Sequence, residues 1–186
     1  MKKFRNDITR LVGYEPNFLT IARLLITDPG VLAIFLYRIQ QKYTKNKGKN
    51  IIAKLIRVIN HNITGADFCI GAQIDKGLII RHPNGIVIGS GTIIGQNCTL
   101  LQQVTFGEKY GDGSDILHQY PKVGSNVTIS AGAKLIGNVI VGDNVIIGAN
   151  SVVLKNIPNN SVAVGVPAKV IKQNEEKKTI KVNHFI

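Results

Sequence analysis

The sequence predicts a mainly β fold, a left-handed parallel β-helix of hexapeptide repeats with a small N-terminal α-helical region. A strict six-residue period supports this, with an aliphatic residue at Val123, Ile129, Leu135, Val141, Ile147 and Val153. A Gly or Asn stands three positions after each of them, and these residues tolerate the backbone conformations of corners. A strand has period two and a helix 3.6, so neither explains the repeat. A triangular coil of three short faces does explain it, with each aliphatic residue pointing to the axis.

The first 62 residues have helical spacing instead. An apolar stripe is formed by Phe18, Ile21, Ala22 and Leu25, and a second one by Val31, Ile34, Phe35 and Ile39. Between them, Asp28 or Thr27 is suited to cap a helix that begins at Pro29. Ile51–Ile59 predicts a third helix, and such amphipathic helices must pack on the base of the prism or on a neighbouring subunit. We therefore expect a helical region at 1–62, a β-helix at 63–172 and a polar tail at 173–186.

Two segments interrupt the six-residue period. The repeats begin near Gly65 and are disturbed around Arg81–Gly85. The sixteen residues of 107–122 then break the period, which predicts a loop that leaves the coils. Because long loops on rigid scaffolds concentrate functional residues, we expect the chemistry at these interruptions.

Charge and cysteine content limit the function classes. Of the net charge of +12, residues 1–60 contribute nine, with twelve Lys or Arg against three acids. No nucleic-acid-binding motif accompanies this basic segment, so we expect no nucleic-acid partner, although its helices could touch a membrane surface. The sequence has no run of about 18 apolar residues, so we predict no membrane span. The charged start does not resemble a secretory signal. We interpret Cys69 and Cys98 as buried thiols of a cytoplasmic protein.

Two of the four histidines lie beside the interruptions, and these are His82 and His118. We interpret the other two, His61 and His184, as incidental. No third histidine accompanies His82 and His118 at a suitable spacing, so we predict no metal site.

Asp67 and His82 form a candidate catalytic pair. A coil of three hexapeptides is about 18 residues long and rises by about one strand spacing. The fifteen residues between Asp67 and His82 therefore place the carboxylate roughly one coil below the imidazole. A hydrogen bond between them would suit a general base that takes a proton from a hydroxyl, although a structural hydrogen bond is an equally good reading.

Several runs of residues resemble the serine acetyltransferase branch of the hexapeptide acyltransferases. They are GLIIRHPNGIVIG (77–89), LLQQVTFG (100–107), YPKVG (120–124) and AVGVPAKVI (163–171), with the six-residue ladder between the last two. The resemblance implies acetyl-CoA as co-substrate, His82 as general base and Asp67 as its support. It also implies a homotrimer with each active site between neighbouring prisms.

The resemblance further implies where acetyl-CoA lies. The pantetheine arm would contact the backbone near Gly107, Ala131 and Ala149. Ser161 and Lys169 would lie near the nucleotide end, where Lys169 and Lys172 offer charge for its phosphates.

Departures from the family pattern concern the acceptor. Serine acetyltransferases typically have Asp-His at the catalytic turn, where this chain has Arg81-His82. They typically have Asp-Arg-His-Pro after the loop, and this chain has His118-Gln119-Tyr120-Pro121. The acid binds the serine ammonium and the arginine its carboxylate, so their loss removes strong charge-assisted hydrogen bonds. Only Asp28 could retain an acid that reaches an amino acid.

We therefore predict an acetyl-CoA-dependent O-acetyltransferase that acts on a sugar hydroxyl in surface polysaccharide synthesis. Arg81, Gln119 and Tyr120 would line the acceptor pocket, and backbone N–H groups near Gly107 would stabilise the oxyanion. The alternatives are a serine acetyltransferase with a diverged pocket, an N-acyltransferase with an amine acceptor, and a catalytically silent trimeric scaffold.

Overall fold

A computed structural model of the protein describes residues 1–44, 50–109 and 119–173. Four α-helices come first in this part of the chain: α1 (Lys2–Val12), α2 (Phe18–Thr27), α3 (Pro29–Thr44) and α4 (Asn50–Thr64). The strands that follow are β1 (Asp67–Phe68), β2 (Gln73–Ile74), β3 (Ile79–Ile80), β4 (Val87–Ile88), β5 (Ile93–Ile94), β6 (Thr99–Leu100), β7 (Thr105–Gly107), β8 (Lys122–Val123), β9 (Thr128–Ile129), β10 (Lys134–Ile136), β11 (Ile140–Val141), β12 (Ile146–Ile147), β13 (Val152–Val153), β14 (Ser161–Val164) and β15 (Lys169–Gln173).

The strands form the three faces of a prism. Face A has the order β1-β4-β7-β10-β13, face B has β2-β5-β8-β11, and face C has β3-β6-β9-β12-β14-β15. Pairing along each face is parallel except between β14 and β15, where the chain turns back. The six aliphatic residues of the repeat are at most 4% exposed. The interior predicted from the period is therefore confirmed.

The coils differ in length at one corner. Asp67 pairs with Val87, twenty residues later, whereas Val87 pairs with Thr105 after the expected eighteen. The two additional residues lie in the turn from face C to face A, which spans 81–86 between β3 and β4. The equivalent turns at 101–104, 130–133 and 148–151 have four residues each. We call segment 81–86 the expanded turn.

Asparagines stack along the corner between faces B and C. Asn97, Asn126, Asn144 and Asn160 all have φ between 56° and 59°, in the left-handed region. Each side-chain amide donates to the carbonyl of the next asparagine, at 2.9 to 3.3 Å. Asn138 and Asn156 have the same spacing in the sequence but are not among the described residues with positive φ. The repeat thus predicts the corner residues only in part.

Helices α1 and α3 cover the open edge of the first coil. Arg38 of α3 donates to both carboxylate oxygens of Asp7 and to the carbonyls of Ile74 and Asp75, at 2.6 to 3.0 Å. The hydroxyl of Tyr37 donates to the Ala72 carbonyl at 2.9 Å. Because buried backbone groups need partners, these side chains replace a missing coil. The helices pack on the base of the prism, one of the two surfaces that the sequence predicts.

The helix bounds refine the sequence prediction. Asp28 caps α3, since its Oδ1 accepts from the N–H groups of Gly30 and Val31 at 2.8 and 3.1 Å. Helix α1 was not predicted as a separate element, because only Phe4 and Ile8 of its apolar residues are fully buried.

No single described helix is long and apolar enough to cross a membrane, although α2 and α3 pass that test as a pair bent by 108°. Cys98 is buried as expected, whereas Cys69 is only half-buried, and both are free.

Candidate active site

His82 lies in the expanded turn with an exposed side chain and a φ of 57°. The left-handed region is uncommon for a residue with a Cβ atom and costs on the order of 1 to 3 kcal/mol. Such residues persist where the surrounding structure holds them, and they cluster at functional sites. The two additional residues of this turn therefore present an imidazole to solvent at the edge between faces C and A.

Asp67 begins β1 on the coil below, but its hydrogen bonds go to Arg57 of α4. The Arg57 Nε lies 2.5 Å from Oδ1 of Asp67, and Nη2 lies 2.7 Å from Oδ2. No hydrogen bond joins Asp67 to His82 in the described residues, so that expectation is corrected. The reason is the register, because the first coil has twenty residues and Asp67 lies below Val87 rather than below the imidazole. The role of Asp67 as support for the base stays a prediction.

Electrostatics around Asp67 favour its charged form. The hydrogen bonds from Arg57 hold the pKa of Asp67 below its usual range, although burial acts in the opposite direction. His61 of α4 also lowers the pKa of that carboxyl, so this exposed histidine lies near Asp67. Burial raises the pKa of the neighbouring Cys69 thiol, which makes it a poor nucleophile. No sequence pattern singles out Arg57, because its pairing with Asp67 depends on how α4 packs on β1.

Asp28 comes close to the expanded turn through the packing of α3 on β3. A methyl group at Gly30 would overlap the carbonyl oxygen of Ile80, the residue directly before the turn. The cap uses only Oδ1 of Asp28, and no hydrogen bond to its other oxygen is present in the described residues. The carboxylate of Asp28 therefore stands at the start of a helix that packs on Ile80, directly before Arg81 and His82 in the chain.

Arg81 is exposed, and within the described residues no hydrogen bond or ion pair engages its guanidinium. Arg10 lies close to it, because the charge of Arg81 contributes to lowering the Arg10 pKa after the larger effect of burial. Arg10 is committed to the carbonyls of Gly77 and Cys98 at 2.7 and 2.9 Å. Arg81 is thus the available cation at this turn.

Tyr120 lies at a different corner of the prism, between faces A and B. Its ring packs on Gly89 and Gly91, where any side chain would overlap it. Its hydroxyl donates to Glu108 at 3.0 Å and accepts from Ser90 at 3.2 Å. Within one chain, Tyr120 and the preceding exposed Gln119 are therefore not brought to the His82 turn. His118 lies outside the described residues.

Two of the predicted cofactor contacts lie on the same edge as His82. Ala131 and Ala149 occupy the four-residue turns above it, and the Asn150 N–H donates to the Ala131 carbonyl at 2.8 Å. Gly107 ends β7 on face A, at the other corner. Lys169 and Lys172 are exposed on β15. Ser161 is 1% exposed with its hydroxyl donating to the Asn159 carbonyl, so its side chain does not face a ligand.

Within residues 1–44, 50–109 and 119–173, no group of three or more His, Cys, Asp or Glu could hold a metal ion. The charged and titratable side chains in and around the expanded turn include His82, Arg81, Asp67 and Asp28.

Comparisons with known proteins point to one family. The family model for bacterial transferase hexapeptide, six repeats, matches residues 120–155. Serine acetyltransferase of Staphylococcus xylosus is 37% identical over 174 residues, which cover 94% of this chain and 79% of that protein. Soybean serine acetyltransferase complexed with serine has a TM-score of 0.80 at 29% identity, covering 91% of this chain and 68% of the soybean chain. Serine acetyltransferase in complex with coenzyme A from Brucella abortus strain S19 has a TM-score of 0.81 at 30% identity, covering 93% and 68%.

A prism of hexapeptide repeats with a histidine at its expanded turn defines a hexapeptide-repeat acyltransferase. The chain belongs to the serine acetyltransferase family. It is an acetyl-CoA-dependent acyltransferase, and the predicted left-handed β-helix and acetyl-CoA co-substrate are confirmed.

The predicted sugar acceptor is wrong. The similar proteins over most of the chain are serine acetyltransferases, which supports the alternative that the sequence left open. A role in polysaccharide synthesis, a glycan partner and a membrane contact have no support from them. The sugar acceptor was predicted from the replaced residues at Arg81-His82 and His118-Gln119-Tyr120-Pro121, whereas the similarity to serine acetyltransferases extends over 94% of the chain.

Proposed function

We propose that this protein is a serine O-acetyltransferase, which transfers the acetyl group of acetyl-CoA to the hydroxyl of L-serine. The observation that carries the proposal is the 37% identity to a serine acetyltransferase across 94% of the chain. The structural likeness to the soybean enzyme complexed with serine supports the same acceptor.

His82 is the general base in this proposal. Its imidazole takes the proton of the serine hydroxyl while the oxygen attacks the thioester carbonyl of acetyl-CoA. The C–S bond then breaks, and the proton passes from the imidazolium to the thiolate of CoA. Asp67 stabilises the imidazolium, and a backbone N–H near Gly107 stabilises the oxyanion. The exposed position of His82 in the expanded turn supports this role.

Asp28 and Arg81 bind the two charged groups of serine. The available oxygen of Asp28 takes the ammonium group, and the guanidinium of Arg81 takes the carboxylate. Both residues adjoin the base, so the hydroxyl between the two charges is held next to His82. This arrangement supplies the two charges that an amino acid needs, although position 119 is the neutral Gln119. Serine binding therefore does not require an arginine in the loop.

The active site is completed by a second subunit of a homotrimer. Gln119, Tyr120 and Gly107 lie at the corner between faces A and B, whereas His82, Ala131 and Ala149 lie at the edge between faces C and A. Both groups can line one site only if two prisms pack side by side. Acetyl-CoA would then lie along the turns of Ala131 and Ala149, with Lys169 and Lys172 near its phosphates. The predicted cytoplasmic location belongs to this proposal, since the enzyme must work where acetyl-CoA is available.

The test is the acetyl-CoA-dependent acetylation of L-serine by the purified protein. Free thiol release should depend on L-serine, and mass spectrometry should identify O-acetylserine as the product. Serinamide, which lacks the carboxylate, should be a much poorer acceptor. Thiol release that does not respond to L-serine, together with unmodified serine, would contradict the proposal.

A further inference from the structure

Arg57 touches the predicted catalytic acid, yet no step of the acetyl transfer described above uses it. Its planar guanidinium meets both oxygens of Asp67, at 2.5 and 2.7 Å, and such a two-pronged contact fixes orientation as well as charge. We propose that Arg57 is a positioning residue for the acetyl transfer and acts on the His82 base through Asp67. This inference rests on the proposed function, because it needs His82 to be the base.

The ion pair is held by a rigid support. Asn60, which is 1% exposed, donates to the Ala33 carbonyl of α3 at 3.0 Å. The Thr64 hydroxyl donates to the Asn60 carbonyl at 2.8 Å and accepts from the N–H of Ala66, the residue before Asp67. The end of α4 and the start of β1 are therefore tied together, and Arg57 is carried on this unit.

Burial separates this pair from an ordinary surface ion pair. The side chains of Arg57 and Asp67 are 36% and 25% exposed, against 61% and 69% for the pair of Arg5 with Glu15. Less solvent screens the buried pair, so its charges act on neighbouring groups over a longer range. Arg5 offers a matched control, since it is an arginine in an ion pair far from the catalytic turn.

The contact leaves Asp67 able to serve the base. A carboxylate has about four sites that accept hydrogen bonds, and the two N–H groups of Arg57 occupy two of them. The remaining sites stay open to a further donor. No hydrogen bond joins Asp67 to His82 in the described residues, so Arg57 acts on the base through the orientation and charge of the carboxylate.

Arg57 also changes the charge that the base experiences. A lone Asp67 would present a full negative charge to the imidazolium, whereas the ion pair presents almost none. The imidazolium that forms during the transfer is therefore stabilised less than it would be beside a lone Asp67. The other charged or titratable groups on the elements around the two residues are His61 of α4, Cys69 after β1, Asp28 before α3 and Arg81 in the turn.

The test compares pH profiles of kcat/KM for L-serine. Arg57→Gln should move the acidic limb to higher pH by about one unit, because Asp67 is then an unpaired negative charge. Asp67→Asn should move the limb to lower pH, because Arg57 is then an unpaired positive charge. Arg57→Lys should restore the limb to within a few tenths of a unit, and Arg5→Gln should leave it unchanged.

A merely structural ion pair gives a different result. Arg57→Gln would then lower Tm and kcat while the acidic limb stayed at the wild-type pH, and this outcome overturns the inference. Shifts of Arg57→Gln and Asp67→Asn in the same direction would also overturn it. An NMR titration of the His82 ring in the ligand-free protein gives the same readout without turnover. A wild-type protein that does not acetylate serine refutes the proposed function, and the titration still decides whether Arg57 acts on His82.

Discussion

The first coil and the later coils of the prism share a three-faced geometry but differ in length, in their stabilising contacts and in the side chains at their corners. Later coils, such as the one that pairs Lys134 with Val152, repeat after eighteen residues, fill their interior with aliphatic side chains and satisfy their corners with stacked asparagines. The first coil takes twenty residues, is anchored to helices by a buried ion pair and carries His82 in its expanded turn. This comparison shows that the six-residue period determines the prism, whereas the departures from the period place reactive groups at its surface.

The same backbone conformation serves opposite purposes in the two regions. In the later coils, positive φ belongs to Asn126, Asn144 and Asn150, and the first two donate their amides to the next turn. In the expanded turn it belongs to His82, whose exposed ring is not used by any described neighbour. The same left-handed conformation thus belongs to the asparagine ladder in one region and to the exposed imidazole of His82 in the other.

The largest effect on stability is expected where the first coil is anchored. Asp7→Asn leaves the buried guanidinium of Arg38 without its counter-charge, since the two side chains are 0% and 3% exposed. Breaking such a pair costs about 3 to 5 kcal/mol. Urea unfolding should show this loss, while Asp75→Asn, which breaks the exposed pair with Lys3, should cost below about 1 kcal/mol. Equal losses of unfolding free energy in Asp7→Asn and Asp75→Asn would show that the buried ion pair stabilises the fold no more than the exposed one.

A comparable loss is expected in the later coils, but for an apolar reason. Leu135→Ala empties a fully buried position on the axis and should cost about 2 to 5 kcal/mol. Ile140→Ala, at a half-exposed position on the outside, should cost about 0.5 kcal/mol or less. The free energy of unfolding from urea titrations measures both. A similar cost at the two positions would show that the interior is not close-packed.

The acceptor contacts at the expanded turn should appear in KM. Arg81→Gln removes the proposed partner of the serine carboxylate and should raise KM for L-serine by about 10- to 100-fold, as expected for one charge-assisted hydrogen bond. KM for acetyl-CoA should not change. Adding Gln119→Arg to this variant should recover part of the loss, because an arginine at that position can reach the same carboxylate in a trimer. If KM for L-serine is unchanged in Arg81→Gln, another residue binds the serine carboxylate.

The smallest effect is a change of stability with pH at Asp67. Arg57 lowers the pKa of this carboxyl in the folded state, so the ion pair stabilises the fold above the unfolded value, near 4, and the gain is lost as pH falls through the folded pKa. Because both side chains are partly exposed, we expect less than about 1 kcal/mol. Asp67→Asn should reduce the difference in unfolding free energy between pH 7 and pH 3. If Asp67→Asn keeps the wild-type difference in unfolding free energy between pH 7 and pH 3, other acids account for that difference.

Much of the fold could be predicted from the sequence because a period of six is a global signal. Each aliphatic position from Val123 to Val153 confirms the others, so the prism follows from counting alone. Helix α1 was not predicted separately, although Phe4 and Ile8 stand four residues apart, as on one face of a helix. Asp7 and Arg38 could not be paired either, since 31 residues separate them.

Individual residues of the candidate site could be predicted from the sequence, but their arrangement in space could not. His82 and Asp28 stand out through the broken period and the helix cap. The register of Asp67 was misjudged because an eighteen-residue coil was assumed, although the spacing of eight residues from Ile80 to Ile88, in place of six, marks the two additional residues of the expanded turn. Arg57 and the separate corner of Tyr120 depend on packing between distant elements, which no local pattern encodes.

We propose that the catalytic base stands in the expanded turn and not elsewhere on the prism or its helices. The most direct test is kcat for acetyl-CoA-dependent acetylation of L-serine by His82→Ala, beside Gln103→Ala in the four-residue turn above and His61→Ala near Asp67. We expect His82→Ala to lose about two to four orders of magnitude and the two controls to remain close to wild type. A wild-type rate in His82→Ala, or an equal loss in His61→Ala, would contradict the account.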